Sequence, residues 1–206
     1  MKPIATVVNN NQPEWQNIVQ TEPGVTLPIN TPLYLSEPFA PLGSPLAGGF
    51  FAGEMTIDGE LYALVVTPKA AGEKLEIQYK KSDRHTTDGT DSDDDGLANS
   101  SKINDENHPA AMFCQSLEIG DHKDWYLPSR DELAMLCRNL GPKRKSAPEA
   151  FRTDGTEAFE SEWYWSSTEN ASYSYDAWIV DFDDGYQVNY GKDDGFGVRA
   201  VRRFKI

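Results

Sequence analysis

The order of apolar and polar residues after position 124 predicts an extended segment that leads directly into a helix. Pro128 lacks an amide hydrogen and pushes the residue before it toward extended geometry, so 125–127 should approach as a strand. Ser129 then occupies the N-cap position, and Glu132 completes a capping box. The apolar residues that follow share one helical face: Leu133, Leu136, Cys137 and Leu140. Gly141-Pro142 ends the pattern, so the helix is predicted between Ser129 and Gly141.

Most of the remaining apolar pattern is typical of short β-strands. Phe50–Ile57 and Leu61–Thr67 flank Asp58-Gly59, a strong local signal for a hairpin. Further strands are predicted toward the C terminus: Tyr164–Thr168, Ala177–Phe182, Tyr186–Tyr190 and Val198–Phe204. The Asp-Asp-Gly run at 183–185 provides a turn between the second and third of these. Alternation in the last strand is imperfect, which predicts a β-bulge near Ala200.

A second helix is predicted to open at Pro109 and to run through Leu117, with Met112, Phe113 and Leu117 facing inward. The polar stretch before it, residues 80–107, is predicted to be irregular and is crowded with aspartates: Asp83, Asp88, Asp91, Asp93, Asp94 and Asp95. The run 91–96 imitates the first half of an EF-hand loop, but Lys102 stands where a bidentate Glu is required. A solvated acidic loop is therefore favoured, with an irregular calcium site as the alternative.

Residues 1–47 contain eight prolines, too closely spaced for a helix of normal length. Such a segment cannot bury a core of its own, yet residues such as Trp15 and Tyr34 make it more apolar than a free linker. We expect residues 1–47 to form an extended proline-rich arm that docks onto a neighbouring subunit or a partner protein. Residues 48–206 are predicted to form the single folded domain.

Charge and cysteine content exclude several classes of protein. A net charge of −14 argues against binding to nucleic acid, and no stretch approaches the length of a membrane span. The N terminus lacks the basic-then-apolar layout of a secretory signal, so synthesis in the cytoplasm is expected. Cys114 and Cys137 stand at apolar positions of predicted helices and are expected to be reduced core residues.

Residues with catalytic chemistry form no readable constellation. Ser166 and Ser167 lie near Glu169 and Asp181 in sequence, whereas the three histidines, at positions 85, 108 and 122, all lie far upstream. We therefore expect a protein that is not an enzyme and that has no cofactor and no metal.

Aromatic and small polar residues alternate between positions 170 and 190, a composition typical of paratopes. The candidate ligand-binding residues are Asn170, Tyr173, Tyr175, Asp176, Tyr186, Asn189 and Tyr190. Tyr173 and Tyr175 fall in a polar connection and should be exposed, whereas Tyr186 and Tyr190 fit either a surface or a core. The tryptophans at 163, 165 and 178 are expected to form the core of a small β-domain.

Four motifs follow one another along the chain: Gly-Asp-His-Lys-Asp-Trp-Tyr-Leu-Pro-Ser-Arg-Asp-Glu-Leu at 120–133, Tyr-Trp-Ser-Ser-Thr-Glu at 164–169, Asp-Asp-Gly at 183–185 and Val-Arg-Ala-Val-Arg at 198–202. This ordered series makes the chain similar to the Lcl C-terminal domain family. The resemblance covers about Gly49 to Phe204. It implies an α+β, C-type-lectin-like fold of the formylglycine-generating-enzyme type, with two helices on a small twisted antiparallel sheet and binding loops at one end.

Members of the family occur in bacterial surface proteins and in tailed-phage virions. The segments Gly48–Gly53 and Tyr62–Lys69 resemble the phage branch in particular. The chain lacks the Glu-Pro-Asn, Gln-Pro-Asp and Trp-Asn-Asp motifs of calcium-dependent lectins, and it lacks the catalytic cysteine pair of formylglycine-generating enzymes. The resemblance therefore extends to the scaffold and does not fix the function.

Two functions remain open at this point. One is a virion-associated tail, collar or baseplate protein, made in the host cytoplasm, whose domain binds a host-surface glycan or protein. The other is a purely structural decoration or joining protein of the tail or collar, and a bacterial surface adhesin is a weaker alternative. In the virion functions the arm, residues 1–47, binds other virion proteins, and a homo-oligomer is expected.

Overall fold

The computed structural model describes residues 39–82 and 85–206 in full and, before them, the backbone of three short strands. These strands are β1 (Ala5–Thr6), β2 (Ile18–Glu22) and β3 (Val25–Pro28), and they form an antiparallel sheet in that order. The chain divides into two compact units, Met1–Pro38 and Phe39–Ile206. The side chains expected to dock the arm lie outside the described residues, so that role stays a prediction.

The described residues of the second unit form two β-sheets and four α-helices. Its strands are β4 (Pro45–Leu46), β5 (Gly49–Ile57), β6 (Glu60–Val66), β7 (Glu73–Gln78), β8 (Trp163–Glu169), β9 (Asp176–Asp181), β10 (Gln187–Gly191), β11 (Gly195–Arg199) and β12 (Val201–Lys205). Its helices are α1 (Lys69–Gly72), α2 (Gly96–Lys102), α3 (Pro109–Gln115) and α4 (Arg130–Leu140), and a 3-10 turn covers Glu149–Phe151. The α+β class is confirmed.

The strands form a four-stranded sheet in the order β12-β6-β5-β4 and a five-stranded sheet in the order β10-β9-β8-β11-β7. All neighbouring strands are antiparallel except β8 and β11, which are parallel. The resemblance implied a single antiparallel sheet and two helices, so the observed sheet content is larger than expected.

The hairpin predicted around Asp58-Gly59 is confirmed as β5 and β6, paired from Ile57↔Glu60 to Phe50↔Val66. Both turn residues have positive φ, 50° for Asp58 and 81° for Gly59. Two positive φ values characterise the type I′ turn, whose twist matches that of the strands it joins. A bulge between Phe51 and Gly53 shifts the register inside the hairpin.

The last predicted strand divides in two at Ala200 and has no bulge there. Its first half, β11, belongs to the five-stranded sheet, and its second half, β12, belongs to the four-stranded sheet. The Ala200 amide donates to the carbonyl of Gly72, and the Ala200 carbonyl accepts from the amide of Thr67. These two bonds, to residues far earlier in the sequence, fix Ala200 at the point where the chain passes from one sheet to the other. The imperfect alternation therefore reflects a change of sheet and not a bulge.

The core consists of two clusters of buried side chains. The first lies under α4, where the predicted stripe from Leu133 to Leu140 packs on Tyr164, Val180 and Phe182. The second lies under α3 and is built on Trp165. One prediction for α3 is wrong: Met112 is 38% exposed, because the buried positions of this short helix are Ala110, Ala111 and Cys114. Both cysteines are free and buried, as expected.

The capping box at the start of α4 is confirmed. Ser129 Oγ accepts from the Glu132 amide at 3.2 Å, and the Glu132 carboxylate accepts from the Ser129 amide at 2.8 Å. A helix that the polar sequence did not predict, α2, begins against this junction. A Cβ atom at Gly96 would collide with the Glu132 carboxylate and the Ser129 amide, so only glycine allows so close an approach.

The acidic run 91–95 is ordered by contacts with its own domain. The Asp93 carboxylate pairs with Arg130 at 2.9 Å, and the Asp93 carbonyl accepts from the amide of Asp131. Asp95 caps α2 through the Ala98 amide at 2.8 Å and pairs with Arg203. The prediction of a merely solvated loop is therefore incomplete, since two of its aspartates position helices.

We predict that Ser129→Ala lowers the free energy of unfolding by about 1 kcal/mol, because the Glu132 amide loses its acceptor. For a domain of this size the thermal midpoint should fall by roughly 2–4 °C. Ser101→Ala in α2 is the matched control, because its hydroxyl is exposed and bonds only a carbonyl within the helix. Equal midpoints for the two variants would contradict a stabilising role for the cap.

We predict that a chain beginning at Phe39 folds as stably as the full-length protein, because residues 39–206 form one compact unit. A chain beginning at Gly48 should be less stable, since it lacks β4 and the Phe39 ring, which packs against Phe51 and Phe204 at 6.0 and 5.9 Å. Urea unfolding of both truncations checks this. If the shorter chain is as stable as the longer one, residues 39–47 contribute nothing to the domain.

Candidate functional site

The candidate binding residues lie around β10, one of the two edge strands of the five-stranded sheet. Tyr173, Tyr175, Tyr186 and Tyr190 are 65%, 49%, 63% and 49% exposed, and we call these four residues the tyrosine surface. Exposure of this extent is unusual for rings that each offer a large apolar area, and it shows that none of the four belongs to the core. The open question for Tyr186 and Tyr190 is thus settled in favour of the surface.

The connection that carries Tyr173 and Tyr175 is a tight, internally bonded turn. Asn170 is only 7% exposed, and its side-chain oxygen accepts from the amides of Ser172 and Tyr173 at 2.8 and 3.1 Å. The backbones of Asn170 and Asp176 join the two ends of the turn. The predicted ligand-binding residue Asn170 therefore shapes the loop from beneath, while the two tyrosines project from it.

A buried ion pair anchors this turn to the rest of the domain. Lys192 and Glu169 are fully buried as side chains, and their Nζ and Oε2 atoms are 2.9 Å apart. Lys192 Nζ also donates to the carbonyl of Ser174 at 2.7 Å, and the Lys192 amide donates to the carbonyl of Tyr175. Burial lowers the pKa of Lys192, and the neighbouring Glu169 carboxylate opposes that shift. The pair fixes the backbone on which Tyr175 stands.

His85 lies against Tyr175, although ninety positions separate the two residues in sequence. Their ring centroids are 4.9 Å apart, and the tyrosine hydroxyl lies 3.5 Å from His85 Nε2. The sequence analysis assigned His85 no role in binding, and no local pattern indicates its place there. The exposed rim of the site thus includes a residue from the loop before α2.

Tyr190 stands at the same end of the sheet as this turn, because its strand partner is Ala177 and the next pair is Gly191↔Asp176. Tyr186 lies at the other end of β10, about 13 Å away along the strand. The ring of Tyr190 meets Phe196 edge-on at 5.3 Å, and Tyr186 meets Trp163 at 6.3 Å. The tyrosine surface therefore follows the whole length of the sheet edge.

Asn189 does not join this surface. It pairs with Trp178 across the strands and points to the opposite face from Tyr190, since successive residues of a strand alternate. The expectation for the tryptophans holds fully for Trp165, which is buried, and in part for Trp163 and Trp178, which are only partly buried. The Arg130 guanidinium lies 4.6 Å above the Trp178 ring and covers it.

Groups with catalytic or metal-binding chemistry are engaged in internal contacts. Ser166 Oγ donates to the Trp178 carbonyl, and His108 is buried between Asp105 and Thr87. Burial raises the pKa of both Cys114 and Cys137, which belong to different core clusters. Among the residues that the structure describes, no three His, Cys, Asp or Glu side chains converge as a metal site would require.

We predict that Lys192→Met lowers the free energy of unfolding by about 3–5 kcal/mol, because Glu169 keeps a buried charge without its partner. Lys143→Met is the matched control, since it removes an exposed ion pair with Asp183 and should change the stability far less. Urea unfolding measures both changes. Similar values for the two variants would mean that the buried pair does not hold the turn.

None of the helices in the described part of the chain is long and apolar enough to cross a membrane. No curated protein matches the sequence. The model of the Lcl C-terminal domain matches residues 77–202, which is more than half of the chain. The match runs from β7 to β12 and includes the capping box, the 170–176 turn and all four residues of the tyrosine surface. The chain therefore belongs to the Lcl C-terminal domain family.

Proposed function

We propose that the protein is a tail, collar or baseplate component of a tailed-phage virion that binds a glycan or a protein on the host surface. The observation that carries the proposal is the tyrosine surface, with four rings that are 49–65% exposed along one sheet edge. Tyrosine combines a rigid apolar ring with a hydroxyl and has few rotatable bonds, so it gives large contact area at a low entropic cost.

Preorganisation of the loop supports a binding role. The turn at 170–176 is held by the Asn170 side chain and by Lys192, so Tyr173 and Tyr175 stand on a fixed backbone. A ligand that meets a preformed surface loses less free energy to the ordering of the protein. A loop whose only task was to join two strands would not need two exposed aromatic rings.

The proposed placement in the virion rests on the arm and on the resemblance to the phage branch. In this proposal the arm binds neighbouring virion proteins through residues 1–38, since residues 39–47 of the predicted arm belong to the domain, and several copies of the domain are displayed together. Linked copies convert weak single contacts into firm attachment through effective concentration. The protein has no catalytic role in this proposal and needs no cofactor.

A structural decoration protein is the competing function, and one observation favours it. Among the described strands, β10 pairs with β9 alone and forms an edge of its sheet, and such an edge can accept a strand of a neighbouring chain. If a neighbouring subunit adds a strand there, the same tyrosines become buried in the particle. The two functions therefore differ in the state of these rings after assembly.

We predict that Tyr173→Ala combined with Tyr175→Ala abolishes attachment and leaves folding unchanged, because both rings are exposed and neither belongs to a core cluster. Fluorescently labelled full-length protein is applied to a panel of bacterial strains and to a glycan array. A loss of at least about tenfold is expected on any surface that the unaltered protein binds.

Leu97→Ala is the matched control, since Leu97 is an exposed apolar residue on α2. Attachment should survive this change. If the double tyrosine variant still attaches, the tyrosine surface is not the binding site. If attachment is unaffected but particles fail to assemble with the variant, the structural function is correct instead.

A further inference from the structure

A small cleft opens on the five-stranded sheet beside the tyrosine surface. We call it the bulge cleft, and its lining is Leu75, Glu76, Glu162, Trp163, Gly195, Phe196 and Gly197. Its volume is about 220 Å³, below the roughly 300–1,000 Å³ of sites that hold drug-sized ligands. The cleft therefore has room for one extended side chain and not for a larger molecule.

An irregularity between β7 and β11 creates the cleft. Phe196 pairs with Ile77, but the next pair along is Val198↔Lys74, so Leu75 and Glu76 together lie opposite Gly197. Glu76 has a φ of 53°, a conformation that favours glycine, and the bulge turns the chain outward there. Gly197 cannot carry a side chain because its Cβ would lie 2.9 Å from the Tyr164 ring. Packing against the Tyr164 ring therefore requires glycine at position 197, in the floor of the cleft.

The lining combines aromatic rings with uncompensated negative charge. Trp163 and Phe196 are partly buried, and Leu75 is 43% exposed, which gives the cleft apolar walls. Glu76 and Glu162 are exposed, and neither forms an ion pair with any residue that the structure describes. No lysine or arginine belongs to the lining. Many other carboxylates of the domain are paired, as Glu169 is with Lys192 and Glu157 is with Arg199.

We propose that the bulge cleft binds a lysine or arginine side chain of a partner protein. The aliphatic stem of such a side chain packs on Leu75 and the two aromatic rings, while its cationic head meets the ring faces and the carboxylates of Glu76 and Glu162. A cation of this shape matches both properties of the lining, whereas a neutral sugar leaves the two carboxylates unpaired and an anionic ligand is repelled by them.

This inference rests on the proposed function and deepens it, because it selects a protein over a glycan as the ligand. The cleft is continuous with the tyrosine surface: Trp163 contacts Tyr186, and Phe196 contacts Tyr190. A partner segment that lies along β10 against the tyrosines thus brings a basic side chain within reach of the cleft. The basic residue gives selectivity, and the tyrosines give most of the contact area.

The test uses the full-length protein and two small probes, capped lysine (Nα-acetyl-lysine methylamide) and its neutral analogue, capped norleucine. Binding is followed by the NMR shift of the Trp163 indole proton, assigned by comparison with Trp163→Phe. Capped lysine should bind at least about tenfold more tightly than capped norleucine, and added salt should weaken it. Equal affinity for the two probes, or no shift with capped lysine, overturns the inference.

The variant Glu76→Gln with Glu162→Gln should weaken capped lysine at least about tenfold. The control Glu106→Gln with Glu149→Gln removes the same charge from two exposed glutamates elsewhere and should leave binding unchanged. Equal loss in both variants would mean that net charge, and not the cleft, attracts the probe, which overturns the inference.

The attachment assay separates this inference from the proposed function. We call Glu76→Gln with Glu162→Gln the cleft variant and Tyr173→Ala with Tyr175→Ala the tyrosine variant. If the cleft variant binds neither capped lysine nor the bacterial surface, while the tyrosine variant still binds capped lysine, both the inference and the proposed function are supported. If the cleft variant attaches normally and the tyrosine variant does not, the proposed function stands and the inference fails. If attachment survives the tyrosine changes and capped lysine still binds, the proposed function fails while the cleft remains a cation site.

Discussion

A buried carboxylate, that of Glu132, joins the main parts of the domain. It accepts from the Ser129 amide at 2.8 Å and from the Tyr126 hydroxyl at 2.6 Å, and Arg203 lies 3.7 Å away. Burial raises its pKa to about 7, while these hydrogen bonds and the guanidinium oppose that shift. The Glu132 carboxylate contacts the start of α4, the segment before α4 and β12, and Gly96 brings α2 against the same carboxylate. Removing the carboxylate would therefore destabilise the contacts among all four elements.

The same junction determines where the 170–176 turn lies. Beside it, the carbonyl of Pro128 accepts from the amide of Ser167, and Thr168 Oγ1 accepts from the Arg130 amide. These bonds fix the end of β8 against the start of α4. The next residue of that strand, Glu169, holds Lys192, which in turn holds the 170–176 turn. The exposed tyrosines are thus positioned by a continuous chain of buried polar contacts that starts at a helix cap.

Features encoded in adjacent residues were predictable, and features that depend on distant partners were not. The capping box and the Asp-Gly turn each need only four neighbouring residues, so the sequence alone located α4 and the β5–β6 hairpin. The helix α2 was missed because it is short and polar, and because Asp95, its cap, looked like one more residue of an acidic loop. The position of α2 depends on its contact with α4, and no local sequence pattern indicates that contact.

The site shows the same division. The polar sequence around Tyr173 and Tyr175 was enough to predict that these two rings are exposed, whereas it left Tyr186 and Tyr190 open between surface and core. It did not reveal that Asn170 serves the turn, because the burial of Asn170 decides that point. The alternation of side chains along the predicted strand, by contrast, already places Asn189 and Tyr190 on opposite faces. His85 reaches Tyr175, and Glu169 reaches Lys192, only through the tertiary fold.

The carboxylates that give the chain its net charge of −14 fall into two groups, those paired with arginines and those that are exposed. Asp93, Asp95 and Glu157 are paired with arginines and support the fold. Others remain exposed around the five-stranded sheet, among them Glu76, Glu162 and Asp194. The negative electrostatic potential of these carboxylates repels nucleic acids and other polyanions at a distance and accelerates the approach of cationic surfaces. In the proposed function this acidity is also a criterion for the partner, because exposed aromatic rings beside exposed carboxylates match a basic polypeptide better than an anionic polymer.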